Sequence, residues 1–281
     1  MTDDAGTGWF EDVDPDDQAG AREAIEQGAA DSPADWPRRA AEAGFAADEE
    51  EYYDRLHAAT TDVAREQVRE RERADDQQLL HAIRAVDDTR RTANELAERV
   101  AEWGSSLLDD AGTGVEYARE VADREPSGPT ERRLIALAEQ VVALAEEADA
   151  LETHVERVAP TVAPNLAALA GPTLAARLIA LSGGLESLAK STSGTVQVLG
   201  AEEALFAHLR GHAPSPKHGV IYTHEAIHGT HSDHRGSAAR ALAGKLTIAA
   251  RIDHYSGERR PALDAELDER IERIQSREGS S

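Results

Sequence analysis

Apolar side chains recur at helical spacing from Asp48 to about Trp103. Leu79, Ile83, Val86, Ala93, Ala97 and Val100 follow alternating steps of four and three, with Arg90 the one polar intruder. This is the repeat of a helix that buries a single stripe. Residues 104–129 interrupt the pattern. GSSLLDDAGTG is a poor helix former, EPSGP at 125–129 is a turn by its Pro and Gly, and one short helix fits over Val115–Ala122. Thr130 suits an N-cap. A second long helix follows, with Leu134, Leu137, Val141, Leu144, Ala148, Leu151, Val155 and Val158 at steps of three and four. That is an a/d seam sustained over more than three heptads. Pro160 and Pro164 are expected to end it.

The simplest arrangement of the two long helices is an antiparallel coiled-coil hairpin over residues 61–160. Alanine at several seam positions of the first helix allows close approach but buries little area. A further partner on the hairpin is therefore expected, and self-association is assigned to Leu134, Leu137, Val141, Leu144, Leu151 and Val155. Residues 161–257 read as several short helices, and 258–281 as a charged helix-like tail ending in Gly-Ser-Ser. Residues 1–60 are acidic and punctuated by Pro and Gly, yet hold six of the eleven aromatics: Trp9, Phe10, Trp36, Phe45, Tyr52 and Tyr53. Disordered tails are poor in aromatics, so this is a short module whose rings are satisfied either by a partner or by one another. The fold class expected is mainly α.

Charge divides the chain unevenly. The 281 residues carry 30 basic and 54 acidic side chains, a net charge of −24. Between Asn165 and Gly257 stand eight basic and six acidic residues, leaving 22 basic against 48 acidic elsewhere. All three lysines (Lys190, Lys217 and Lys245) and eight of the eleven histidines lie in this segment. A basic island in an acidic chain is expected where a polyanion binds. The acid-rich, lysine-poor composition suits a cytosol of very high salt. Cysteine is absent, which excludes disulfides and thiolate metal sites. No apolar run reaches ~18 residues, and the acidic N-terminus lacks the regions of a secretory signal. A cytoplasmic protein with no membrane partner is expected.

One motif suggests chemistry. His224-Glu225-Ala226-Ile227-His228 is HExxH, which on a helix can place two imidazoles on zinc with the Glu as general base. Its context is poor. It follows VIYT, Gly229 comes at once rather than three residues later, and no substrate-binding strand is evident. A zinc peptidase is kept as an alternative, with adventitious metal binding by His224, His228, His231 and His234 beside it, but no metal site and no catalytic residue is expected. GxxxxGK[ST], GxGxxG and GxSxG are all absent, so nucleotide hydrolysis, dinucleotide redox chemistry and α/β-hydrolase chemistry lack support.

A series of separate blocks resembles the Nop domain. They are Pro164-Asn165-Leu166, Ala176-Arg177-Leu178-Ile179, Gly183-Gly184-Leu185 and Leu188-Ala189-Lys190. Thr195 to Glu202 with Ala204-Leu205-Phe206 continues the series, followed by Pro216-Lys217-His218-Gly219 with Ile221-Tyr222. It ends with Arg240, Ala243, Lys245, Ala249, Arg251, Ile252 and Asp253. Asn94, Glu95, Leu96, Arg99, Glu102 and Trp103 are similar to that family's first coiled-coil helix. The chain thus looks like the archaeal scaffold proteins of box C/D guide ribonucleoproteins, relatives of the eukaryotic nucleolar Nop proteins.

The resemblance implies an all-α Nop domain that recognises a kink-turn in box C/D guide RNA together with its small ribosomal-protein-like binder. It also implies a coiled coil that pairs two copies, and an N-terminal module at 1–60 that docks fibrillarin. Fibrillarin methylates ribose 2′-hydroxyls with S-adenosylmethionine, so this chain itself needs no cofactor. On this reading RNA contact falls to Gln197, Arg210, Lys217, His218, Arg240, Lys245 and Arg251. Contact with the kink-turn protein falls to Glu202 and Glu203, since acids are poor neighbours of phosphate. Several positions depart from the family. Glu203 stands where Lys is usual and Ala207 where Arg is usual, Gly-Ser-Ser replaces an aromatic run after Trp103, the N-terminal module is short, and the lysine-rich tail is absent. At about 1 M salt the screening length is about 3 Å, so binding must lean on shape, stacking and hydrogen bonds, and His208, His212 and His218 are expected to supply them. A coiled-coil interaction protein that binds no RNA is the third reading.

Overall fold

The computed structural model describes residues 8–28 and 33–276. These divide into two compact units, one ending at Ala74 and one beginning at Asp75. The module boundary expected at residue 60 falls inside a helix.

The first unit has three helices: α1 (Gln18–Gln27), α2 (Trp36–Glu42) and α3 (Glu49–Arg73). Its acid-rich sequence is used in the caps. Asp17, Asp35 and Asp48 each accept a backbone N–H in the first turn that follows, satisfying donors that a helix leaves without partners. Glu51 reaches back to Ala47 N at 2.6 Å. That hydrogen bond, and then the Arg55 side chain, hold its carboxyl below the usual carboxylate range. The aromatics answer one another. Phe10, Phe45 and Tyr52 are buried together with Trp9 and Trp36 beside them, and Trp9 Nε1 donates to the Tyr52 hydroxyl at 3.2 Å. The self-stapled alternative is the one the chain adopts, and Tyr53 faces outward.

The second unit opens with α4 (Asp75–Leu107), α5 (Gly114–Ala122) and α6 (Pro129–Val162). Helices α4 and α6 pack antiparallel. Ala97 and Val100 share a core with Leu134 and Val141, while Ile83 and Val86 share another with Val155 and Ala159. Between them Arg90 reaches Glu152 at 2.8 Å and Asp149 at 3.4 Å, which explains the polar intruder in the stripe. Leu134, Val141 and Val155 are fully buried within the unit, whereas Leu137, Leu144 and Leu151 remain half-buried.

Four local expectations are corrected. The helical pattern starting at Asp48 is broken at Ala74, whose ψ of 142° is not helical. Gly104, Ser105 and Ser106 belong to α4. A Cβ at Gly104 would meet the Tyr117 hydroxyl at 2.5 Å, so glycine here admits a packed ring, and both serines bond back to carbonyls three residues earlier. Thr130 lies inside α6, capped by Gly128 with Pro129 in the first turn, where its missing N–H costs nothing. Pro160 sits within the last turns of α6, and the helix ends before Pro164, where Ala163 leaves the helical region (φ −142°, ψ 76°), which a following proline disfavours.

Short helices then wrap the root of this pair: α7 (Pro164–Ala170), α8 (Pro172–Ser182), α9 (Leu185–Lys190), α10 (Ser193–Val198) and α11 (Glu202–Leu209). A 3₁₀ turn (Val220–Thr223), α12 (Glu225–His228), α13 (Arg235–Tyr255) and α14 (Ala262–Gln275) follow. Helix α13 is the central element, burying Leu242, Leu246, Ala249 and Ala250 among others. The stretch read as a charged tail is part of this fold: α14 buries Leu263, Leu267, Ile271 and Ile274, a stripe at helical spacing. Residues 277–281 lie outside the described residues.

Buried acids tie the pieces together. Asp253 accepts from Asn165 N (3.0 Å), Asn165 Nδ2 (2.6 Å) and Leu166 N (2.8 Å), capping α7 from a distant helix. Asp76 does the same for α9 through Leu185 N at 2.8 Å. At the surface, Arg177 pairs with the exposed Asp87 at 2.6 Å, linking α8 to α4. No single described helix is long and apolar enough to cross a membrane.

Candidate nucleic-acid interface

The site is built where the chain after α11 returns to α10. Gly219 N donates to Gln197 O at 2.9 Å and Val220 N to Leu199 O at 2.8 Å. The two backbones approach so closely that a Cβ at Gly219 would lie 2.0 Å from Leu199 O; only glycine fits. Gln197 Nε2 donates to Lys217 O at 2.8 Å, fixing the same loop from its side.

This crossing presents a stack. The His218 ring lies on Tyr222 at 4.4 Å and 20°, and the Arg235 guanidinium sits 5.6 Å from the Tyr222 ring centroid. Lys217 is exposed beside them. Partial burial, then the charges of Arg235 and Lys217, push His218 below the ordinary imidazole value. A neutral, pre-stacked imidazole next to two cations offers an edge for hydrogen bonding, a flat surface and positive charge together. Helix α11 stands beside this, with no buried residue of its own. Phe206 is 58% and Leu209 71% exposed, so its apolar side chains are presented outward. Glu202 Oε1 accepts from Gly200 N at 2.8 Å in its own first turn, and Glu203 is exposed.

The residues predicted for RNA contact do not all come together. Lys217 and His218 are in the cluster, with Gln197 supporting it from behind. Arg210 and Arg240 are exposed on α11's end and on α13. Lys245 points the other way and pairs with Glu266 of α14. Arg251 Nε donates to Ala189 O at 3.0 Å and its NH2 group to Ser191 O at 3.3 Å, closing the end of α9. Lys245 and Arg251 thus have structural partners, because their positions on α13 face α14 and α9. Of the histidines grouped with His218, His208 is engaged through Nδ1 with the Ala213 carbonyl at 3.0 Å, and His212 is exposed.

Tyr222, Arg235, Phe206 and Leu209 were missed as site residues. Two of them, Phe206 and Tyr222, stand in the blocks quoted above. A large apolar side chain on a helix reads as core, however, and only the fold shows Phe206 and Leu209 outside it.

The HEAIH motif has another task. His224 lies just outside the four-residue α12, where its Nδ1 accepts from Ala226 N at 3.1 Å and its Nε2 donates to Leu169 O at 2.8 Å. Both ring nitrogens are committed, and the helix is too short to carry both histidines on one face. Among the described residues no three His, Asp or Glu side chains converge to hold a metal ion. The zinc peptidase reading is thereby overturned.

Residues 78–276 match the family described as "Nop: snoRNA binding domain, fibrillarin". An uncharacterized NOP5 family protein of Methanocaldococcus jannaschii is 33% identical over 270 aligned residues, covering 83% of this chain and 65% of that protein. Nucleolar protein 58 of Yarrowia lipolytica is 32% identical, covering 70% of this chain and 45% of its own. The chain therefore spans no more than about two thirds of the length of these relatives. In fold it is similar to a solved fibrillarin/Nop5p complex, with a TM-score of 0.53 at 24% identity over 90% of this chain and 91% of that one. With well over half its residues matched, the chain belongs to the Nop family.

Proposed function

We propose that this protein is a non-catalytic scaffold of a box C/D guide ribonucleoprotein. It grips a kink-turn RNA and the small ribosomal-protein-like binder already seated on it, and it positions fibrillarin for ribose 2′-O-methylation. Family membership supports the coarse role, since the matched family is described as snoRNA-binding and by fibrillarin, and the Yarrowia lipolytica relative is a nucleolar protein. The observation that carries the finer reading is the pairing of two unlike surfaces. The Lys217, His218, Tyr222 and Arg235 cluster suits RNA, which is read by stacking and by contacts to unpaired segments. The outward Phe206 and Leu209 of α11 suit a protein, since apolar anchors carry protein interfaces. Half-buried Leu137, Leu144 and Leu151 are the residues left on α6 for self-association. The acidic remainder of the surface suits work at high salt, where phosphate attraction alone is weak.

The test is a gel shift of the full chain on kink-turn RNA, with and without its ribosomal-like binder, at high salt. A shift that needs the binder, and that Tyr222→Ala and Phe206→Ala each weaken, is expected. No shift with the preassembled RNA would refute the proposal and leave a helical interaction protein without RNA.

A further inference from the structure

The turn through Gly219 and Val220 also walls a recess that it shares with α4 and α8, with a volume of about 600 Å³. Pockets of that size hold a small ligand or the anchoring side chain of a partner. Buried Ile83 and Ala180 and half-buried Val220 form its apolar floor. Leu181, 47% exposed, forms an apolar lip. Among the described residues no aromatic ring lines it.

Two guanidiniums stand at this recess. Arg177 is occupied by Asp87, whose two oxygens accept from its Nε at 3.4 Å and from its NH2 group at 2.6 Å. Arg84 is exposed and engaged differently. Its NH2 group donates to Ala180 O at 3.3 Å, and among the described residues it forms no ion pair. A guanidinium carries five N–H donors, so most of those on Arg84 are left for a ligand. Arg84, Arg177 and Asp87 together leave one positive charge at the recess, in a chain whose net charge is −24.

That combination selects an occupant. A nucleic-acid strand wants several cations for its phosphates and rings on which its bases stack, and the recess supplies neither. A single carboxylate matches the charge and meets a guanidinium through two parallel hydrogen bonds. An aliphatic group fills the floor. The exposed Leu181 extends the apolar surface past the recess, so the occupant is a chain that passes over this lip and not a free acid.

We propose that this recess docks a protein partner through a short acidic and apolar segment. Its Asp or Glu carboxylate lies on Arg84, and a neighbouring aliphatic side chain packs on Ile83, Ala180 and Val220. The recess shares the turn at Gly219 with the Lys217, His218 and Tyr222 cluster, so such a partner sits beside whatever that cluster holds. This docking requires no RNA.

The test uses the full chain and short capped peptides of serine and glycine that carry one leucine beside one glutamate, in either order. Binding is read from the broadening of peptide resonances in NMR. A Kd of about 0.1–1 mM is expected for at least one order. Arg84→Gln and Leu181→Ser should each weaken it about fivefold or more, as should glutamine in place of the peptide's glutamate. Both side chains are exposed, and melting curves check that the variants fold. Binding of the preassembled kink-turn complex should stay within about twofold in Arg84→Gln. Absence of binding by either peptide, or binding that both substitutions leave unchanged, would overturn the inference. Isocaproate that binds as tightly as the peptides would also overturn it, because the ligand would then be a free acid. So would a loss of kink-turn affinity in Arg84→Gln as large as the loss of peptide, because the recess would then belong to the RNA contact. A parent that binds peptide and no RNA refutes the earlier reading and upholds this one.

Discussion

The narrowest point of the site is Gly219, and replacing it with alanine tests how the interface is built. The added Cβ would sit 2.0 Å from Leu199 O and 2.7 Å from two backbone carbons. Those are backbone atoms, so no side-chain rotation relieves the overlap and the two segments must part. Parting breaks the hydrogen bonds from Gly219 N to Gln197 O and from Val220 N to Leu199 O, and loosens the one from Gln197 to Lys217 O. At about 1 kcal/mol net for each bond the cost is about 2–3 kcal/mol. In a unit of this size that lowers the melting temperature by about 5–10 °C. Gly244→Ala is the control. Nothing lies within 4 Å of its added Cβ, and alanine inside a helix gains about 1 kcal/mol over glycine. Both variants would be followed by thermal unfolding and by binding to the preassembled kink-turn complex at a temperature where each is folded. Gly219→Ala should lose affinity even while folded, because His218 and Lys217 move with the loop. Unchanged melting and affinity would refute the account of how this loop places the stack.

Further outcomes concern four more residues. Asp253→Ala leaves three buried N–H donors without acceptors and should cost about 3–5 kcal/mol in chemical unfolding, with Asp253→Asn intermediate. Lys245→Ala should change stability by less than about 1 kcal/mol, since its Glu266 partner is exposed, and should leave RNA affinity within about twofold. Arg240→Ala should instead weaken all kink-turn RNAs alike and reduce the salt slope by about one. The folded pKa of His218 is depressed, so below about pH 6.5 the unfolded chain takes up a proton that the folded chain resists. Stability should fall as pH drops through that range and level off below the folded pKa. His218→Gln should flatten this slope in melting curves taken between about pH 5 and 7.5, and a parental slope in that variant would show that another group is responsible. His218→Ala should weaken RNA binding at high salt if stacking replaces charge there.

Periodicity was enough for the two long helices, because a buried stripe repeats locally and needs no knowledge of its partner. The turn at 125–129 was legible from its own Pro and Gly. The boundaries were not. Gly104 stays helical because Tyr117, thirteen residues on, packs against it. Pro160 stays helical because α6 ends within a turn of it. The apolar spacing in 262–275 looked like part of a tail until Lys245, Thr230 and the core came to meet it. Gly104 and the 262–275 helix were decided by residues remote in sequence, Pro160 by its place near the end of α6.

The site divides along the same line. Charge partition placed the basic island between 165 and 257, and the family blocks marked Lys217 and His218. Which cations are available to a ligand depends on direction, and direction around α13 is fixed only when α9, α10 and α14 pack on it. Arg251 and Lys245 took carbonyl and carboxylate partners on neighbouring helices, and Arg235 came to lie over Tyr222 with bonds of its own to the Thr230 and His228 carbonyls. The sequence by itself determined helical character, the location of positive charge and the family. Tertiary packing alone decided which side chains of that island face solvent, because a helix has one buried side and composition does not say which.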